Sequence, residues 1–257
     1  MNRTDQLFQD KKENILSIYF TAGHPALEST VEIIQELENN GVDLIEIGMP
    51  FSDPLADGPI IQKSSQVALN NGMSIKKLFE QLKEIRKNVS IPLLLMGYIN
   101  PVFQYGFERF CRDAAAIGID GLILPDLPLK EYNEQYKSIV EMNNLRFVFL
   151  ISPETSNERV KLLDETGSGF CYIVSSSATT GPKENIIEKQ SAYFNRINGL
   201  GLKLPKIIGF GISDNKSYKS ACQYANGVII GSAFVKAIDG GGDLKNIIKE
   251  FIFSIRE

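Results

Sequence analysis

Eight short aliphatic runs punctuate the chain: Ile15–Phe20, Asp43–Ile47, Leu93–Met96, Gly121–Leu124, Arg146–Leu150, Phe170–Val174, Lys206–Gly209 and Gly227–Ile230. Each is nearly continuous in apolar residues rather than alternating, which is the pattern of parallel strands covered on both faces. The intervening segments keep a helical period. Leu27, Val31, Ile34 and Leu37 step by four, three and three, and Phe107, Phe110, Ala114 and Ile117 by three, four and three. Either set forms one apolar stripe along a helix. Thr155 with Glu158 reads as a capping box that opens a helix stopped at Gly167, and Gly41 and Gly118 read as further helix stops. Asp239–Asp243, with three glycines, reads as a flexible loop before the last helix.

Strand and helix therefore alternate, which places the chain in the α/β class. Eight repeats in this length predict a single (β/α)8 TIM barrel with eight parallel strands, one domain over residues 1–257. The alternative is a doubly wound open sheet, which often carries a GxGxxG turn after its first strand; that turn is absent. A faint internal repeat aligns Gly41-Val42-Asp43-Leu44-Ile45-Glu46-Ile47 with Gly118-Ile119-Asp120-Gly121-Leu122-Ile123-Leu124, and Gly227-Val228-Ile229-Ile230 resembles the start of both. Each copy is a helix stop running into a strand.

Composition narrows the function. Hydrophobic residues make up 43% of the chain, enough for a sizeable core, and the net charge of −4 leaves no basic face for nucleic acid or an anionic membrane. Cys111, Cys171 and Cys222 form no CxxC pair and read as reduced thiols, and Met1–Lys12 carries neither a signal-peptide core nor a membrane span. Both point to the cytoplasm. His24 is the sole histidine, which argues against a zinc site or any other metal centre, and it reads as part of a surface turn.

One run breaks its own rule. Glu46 falls where the repeat has Ile123, and a carboxylate inside an aliphatic strand is costly to bury unless paired or protonated. It lies near the C-terminal end of its strand, where barrel enzymes place their chemistry. The plain structural alternative is a Glu turned outward and salt-bridged to a helix. The next segment, Gly48-Met49-Pro50-Phe51-Ser52-Asp53-Pro54-Leu55-Ala56-Asp57-Gly58-Pro59, is a proline-shaped loop with two more carboxylates. A loop Asp more often caps a turn, but a strand Glu with a loop Asp is also what general acid–base catalysis requires.

The stretch Glu46–Pro59 closely resembles the signature of tryptophan synthase alpha chains. Tyr19-Phe20-Thr21-Ala22-Gly23 with Pro25, Met96-Gly97-Tyr98-Ile99-Asn100-Pro101 and Leu124-Pro125-Asp126-Leu127-Pro128 extend the likeness from about Tyr19 to the C-terminal helix. The resemblance implies that Glu46 and Asp57 are the catalytic pair, with Tyr172 in the active site near the substrate. It places Tyr19 and Tyr98 around an indole pocket, with Asp126 lining the mouth or anchoring a loop.

Two glycine motifs follow the seventh and eighth runs, Gly209-Phe210-Gly211-Ile212-Ser213 and Gly231-Ser232-Ala233. Glycines let backbone N–H groups approach an anion, and many barrels bind phosphate at these two loops; tight turns that merely need glycine are the alternative. The resemblance implies phosphate contacts from Gly181, Phe210, Gly211, Gly231 and Ser232, with Thr180 beside them. The segment Ser175–Lys183 resembles a mobile lid but has Ser176 near where some members of the family carry Arg.

By the same resemblance the expected reaction is the lyase step of tryptophan biosynthesis, retro-aldol cleavage of indole-3-glycerol phosphate to indole and glyceraldehyde 3-phosphate. No cofactor is expected in this chain. The pyridoxal phosphate belongs to a β partner in an α2β2 tetramer, which Asp53 and Pro54 would touch. Two alternatives stay open: another phosphate-binding barrel such as indole-glycerol-phosphate synthase, which would need catalytic lysines on strands, and a non-catalytic barrel that regulates a partner.

Overall fold

The computed structural model describes residues 1–174, 183–209 and 211–257. The strands are β1 (Ile15–Thr21), β2 (Leu44–Gly48), β3 (Leu93–Met96), β4 (Gly121–Ile123), β5 (Arg146–Phe147), β6 (Leu150–Ile151), β7 (Cys171–Val174), β8 (Lys206–Gly209) and β9 (Gly227–Ile230). The helices begin with α1 (Arg3–Asp10), α2 (Ser29–Asn39), α3 (Pro59–Asn70), α4 (Ile75–Leu82), α5 (Ile99–Tyr105) and α6 (Phe107–Ala116). They continue with α7 (Leu129–Glu131), α8 (Lys137–Met142), α9 (Asn157–Thr166), α10 (Lys183–Asn198), α11 (Asn215–Cys222), α12 (Ser232–Asp239) and α13 (Leu244–Arg256).

All pairings are parallel, in the order β5-β4-β3-β2-β1-β9-β8-β7-β6. The two end strands are consecutive in the chain and separated by Val148 and Phe149, and the parallel sheet between them is curled. Among the described residues nine strand segments thus stand where eight are expected: the run Arg146–Leu150 is divided. The division has a local cause. On one side the Phe147 N–H and C=O are taken by Ser168, so pairing with β7 starts only at Phe149 O, which accepts from Tyr172 N at 3.1 Å. On the other side, pairing with β4 stops after Val148 N donates to Leu122 O at 3.0 Å, shortly before Pro125, which has no N–H to offer.

Alternation along the strands separates two cores. Leu16, Ile18, Phe20, Ile45, Ile47, Leu93, Leu95, Leu122, Ile173 and Val228 face outward and pack with the helices. Ile15, Leu44, Leu94, Ile123, Val148, Phe170, Tyr172, Ile207 and Ile229 face inward, and Leu7 and Phe8 of α1 pack against them. Asn2 caps α1 by accepting from Thr4 N at 2.9 Å, and Phe8 meets Phe170 with ring centroids 5.8 Å apart. That helix plugs the N-terminal end of the sheet interior, leaving the C-terminal end of the strands as the open rim.

Three local expectations are corrected. Ser156, not Thr155, caps α9, accepting from Arg159 N at 3.3 Å, because the Thr155 hydroxyl is engaged with Ser152 N at 3.0 Å. His24 does not lie in a surface turn. It is 1% exposed, its Nε2 is 3.0 Å from Asp239 Oδ1, and Lys63 Nζ reaches the other oxygen of Asp239 at 2.6 Å. The reason is that α3 and α12 close over the turn. Asp239 accordingly ends α12 rather than opening a loop, and Asp243 caps α13 by accepting from Lys245 N. Gly41 and Gly118 stop their helices at φ +82° and +87°, a conformation that costs glycine little.

Candidate active site

β1 and β2 pair with Tyr19 opposite Glu46, so Ser17, Tyr19 and Thr21 share the inner face with Leu44, Glu46 and Gly48. Glu46 is 0% exposed and, among the described residues, makes no ion pair to a helix. Its Oε1 accepts from the Ser17 hydroxyl at 3.3 Å, and its Oε2 is buried without a hydrogen-bond partner among the described residues. Burial pushes the carboxyl from its ordinary 4.5 up to about 8, with the Ser17 hydrogen bond opposing the rise.

Two tyrosines rise from the same interior, and glycines make room for them. A Cβ on Gly48 would overlap the Tyr19 hydroxyl, and one on Gly209 would overlap the Tyr172 ring and hydroxyl. Burial pushes both phenols far up; the fields of Asp57 and Glu46 add to the rise at Tyr19, and those of Glu46 and Asp57 at Tyr172. Both rings therefore lie within electrostatic reach of both carboxylates. The Tyr19 hydroxyl is 3.5 Å from Thr21 Oγ1, which is 2.7 Å from Ser64 Oγ on α3.

The loop after β2 is tied at its root by Met49 N donating to Met96 O at 2.7 Å. Nearer its end, Tyr98 holds it. The Tyr98 hydroxyl donates to Asp57 Oδ2 at 3.1 Å and accepts from Ala56 N at 3.0 Å, and its ring lies 5.3 Å from that of Phe51. Partial burial pushes the Asp57 carboxyl up, and the Tyr98 hydrogen bond opposes this. Gln62 of α3 binds Asp57 O at 2.8 Å. Asp126 is an anchor here: its carboxylate accepts from Ile99 N at 2.9 and 3.1 Å, fixing the start of α5 next to Tyr98. Asp53 is exposed, Pro54 half-buried and Leu55 91% exposed, so this part of the loop faces outward.

A cavity of about 840 Å³ opens at the rim, lined by Tyr19, Asp57, Tyr172, Gly211, Gly231 and Ser232 among others. Met96, Ile61, Ile212 and Ile229 give it apolar walls, as a flat aromatic ligand requires. A hollow of about 50 Å³ beside it is lined by Tyr19, Asp57, Tyr98 and Met49. Glu46 lines neither; it sits in the interior beneath Tyr19 and Tyr172. Gly231 is the cap residue of α12 and Ser232 its first residue, so a helix N-terminus borders the cavity, and Gly211 turns at φ +74°. This end of the cavity favours an anion. Thr180, Gly181, Phe210 and the lid segment around Ser176 lie outside the described residues.

Sequence reasoning passed over Ser17 and Lys236. Ser17 carried the same signal as Glu46, a polar residue inside an aliphatic run. Lys236, one helical turn beyond Ser232, lines the cavity, and no pattern in the sequence marks it. Among the described residues, no group of three His, Cys, Asp or Glu side chains is placed to hold a metal ion, and no helix is long and apolar enough to cross a membrane.

Comparison with known proteins agrees over the full chain. The family model described as tryptophan synthase alpha chain matches residues 6–255. A tryptophan synthase alpha chain of Flavobacterium johnsoniae is 55% identical over 256 residues, covering 100% of both chains. One from Phocaeicola vulgatus is 54% identical and covers 93% of each. Among solved structures, tryptophan synthase subunit alpha from Legionella pneumophila superposes with a TM-score of 0.90 at 32% identity, covering 100% of this chain and 97% of that one. The aminoacrylate-bound form of tryptophan synthase from M. tuberculosis gives 0.87 at 28% identity, covering 100% and 98%.

Proposed function

Because the chain belongs to the tryptophan synthase alpha chain family, the lyase subunit of tryptophan biosynthesis, we propose that Glu46 and Asp57 cleave indole-3-glycerol phosphate at this rim. The single observation that carries the residue assignment is the buried Glu46 carboxyl, pushed up to about 8 beneath Tyr19 and Tyr172, two walls of a cavity that Asp57 lines.

A carboxyl with that pKa is largely protonated at neutral pH, so Glu46 starts as the acid. It delivers its proton to indole C3, while the Asp57 carboxylate accepts a hydrogen bond from the indole N–H and stabilises the resulting cation. The bond from C3 to the glycerol chain then breaks, its electron pair returning to the ring. The hydroxyl proton of the glycerol carbon passes back to the Glu46 carboxylate, leaving an aldehyde. One proton is added and one removed, so Glu46 ends as it began. Two groups with environments tuned apart divide the roles, as general acid–base pairs do. Tyr19, Tyr98 and Tyr172 flank the ring. The substrate phosphate sits against Gly211, Gly231 and Ser232 at the start of α12, and the family resemblance assigns Thr180, Gly181 and Phe210 to the same group.

Strands β5 and β6 are read as one strand of a closed eight-stranded barrel, since inward and outward residues alternate unbroken through Phe147, Val148, Phe149, Leu150 and Ile151. Residues 1–257 then form one domain. Asp53 and Pro54, beside the exposed Leu55, dock a β chain that carries the pyridoxal phosphate, in an α2β2 tetramer. Three free cysteines suit work in the cytoplasm. The test is indole release from indole-3-glycerol phosphate by the purified chain, with and without β chain. Indole release that rises on adding β chain is expected; no release under either condition would overturn the reading.

A further inference from the structure

Among the described residues, the hydroxyl of Ser17 is the one hydrogen-bond partner of the buried Glu46 carboxyl. Both residues are fully buried, on the inner faces of adjacent strands, with Ser17 Oγ 3.3 Å from Oε1. The register puts Tyr19 directly opposite Glu46 and Ser17 one inward position below it, so the hydroxyl approaches from the plugged end of the interior. Oε2 has no hydrogen-bond partner among the described residues. We propose that Ser17 is a positioning residue for the reaction: it pins Oε1 from below, so that Oε2 is the oxygen that exchanges protons with the substrate. This rests on the reading of Glu46 as the proton shuttle.

A carboxyl with no hydrogen bond rotates about its last torsion, which is broad and two-fold, and both oxygens then sample the same positions. A single donor breaks that symmetry. The same bond favours the charged form, because a hydroxyl donates more strongly to a carboxylate than to a neutral acid. Ser17 therefore also limits how far burial raises the Glu46 carboxyl, keeping it able to give and regain a proton near neutrality. Among the described residues, the titratable groups in electrostatic reach of Glu46 are Tyr19 from β1 and Tyr172 from β7, and Asp57 from the loop after β2 acts on both of those phenols. The two phenols stay neutral in the working range, and Asp57 is common to every variant below.

An isosteric pair isolates the hydroxyl. Ser17→Thr keeps it, and Ser17→Val has the same shape without it. Steady-state indole release from indole-3-glycerol phosphate would be measured from pH 5 to 10 on both variants and wild type, in the presence of β chain. Thermal unfolding would confirm that all are folded. The Val variant should lose at least tenfold in kcat at pH 7, with little change in KM. The limb of its profile set by Glu46 should move about one pH unit higher. The Thr variant should track wild type. If either variant unfolds, Ser17→Ala supplies the same comparison, with the position of the Glu46 limb as readout. A hydroxyl-free variant whose limb stays at the wild-type pH overturns the proposal, even if its rate is lower. Glu46→Gln separates the two levels: retained turnover there defeats the shuttle reading itself, whereas a dead Gln variant beside an unmoved Val profile defeats only the role of Ser17.

Discussion

Replacing Glu46 with Gln keeps the shape of the side chain and removes its titration. In the unfolded chain this carboxyl ionises near 4.5, but in the folded protein burial raises it to about 8. Between those values the folded state holds a proton that the unfolded state has released. Raising the pH through that window therefore costs the wild type stability, and above it the full cost of a buried carboxylate is in place. The separation of pKa values corresponds to about 5 kcal/mol, an order-of-magnitude figure. The glutamine variant feels none of this. Its stability relative to wild type should be constant below about pH 4.5, climb between 4.5 and 8, and level off above, reaching several kcal/mol. Urea unfolding of both proteins at closely spaced pH values from 4 to 9 measures the difference directly. Any fixed cost of seating an amide in the carboxyl slot cancels, because only the slope is used. Parallel stability curves for the two proteins would refute the claim that Glu46 is buried and hard to ionise.

Other perturbations test the surrounding frame. Gly48→Ala should lower stability by about 1–3 kcal/mol and slow turnover, because its Cβ would overlap the Tyr19 hydroxyl; Gly58→Ala, with nothing within 4 Å, is the control for the thermal midpoint. Tyr98→Phe removes a hydrogen bond that holds the Asp57 carboxyl down, so the acid limb of the kcat profile should move to higher pH; an unmoved limb would mean that Asp57 is not the group titrating there. Asp120 is 2% exposed and receives Arg3, Arg86 and Leu93 N at the N-terminal end of the strands. Asp120→Ala should cost roughly 3–5 kcal/mol by stranding these donors, while turnover per folded molecule in the same assay stays at the wild-type value.

The strands were legible because parallel strands are apolar on both faces; β3, β8 and β9 coincide with their predicted runs to the residue. The division at Val148 and Phe149 was not, because it arises where Ser168 competes for the backbone of Phe147, a contact between residues 21 positions apart. Glu46 drew attention by breaking a local rule, whereas Asp57, an ordinary loop residue by pattern, was singled out by the family resemblance. Ser17 broke the same rule more quietly, since a small hydroxyl is easily tolerated in a core. His24 was misjudged because a histidine beside a proline turn gives no hint of an acid 215 positions away that will bury it. What periodicity cannot carry is contact across the chain.

The most direct test of the central claim is single-turnover release of indole from indole-3-glycerol phosphate by Glu46→Gln and Asp57→Asn, each purified and shown by circular dichroism to be folded. The account predicts that both lose at least about a hundredfold in rate, as loss of a general acid or base does, while substrate binding persists. Near-normal release by either variant would contradict it.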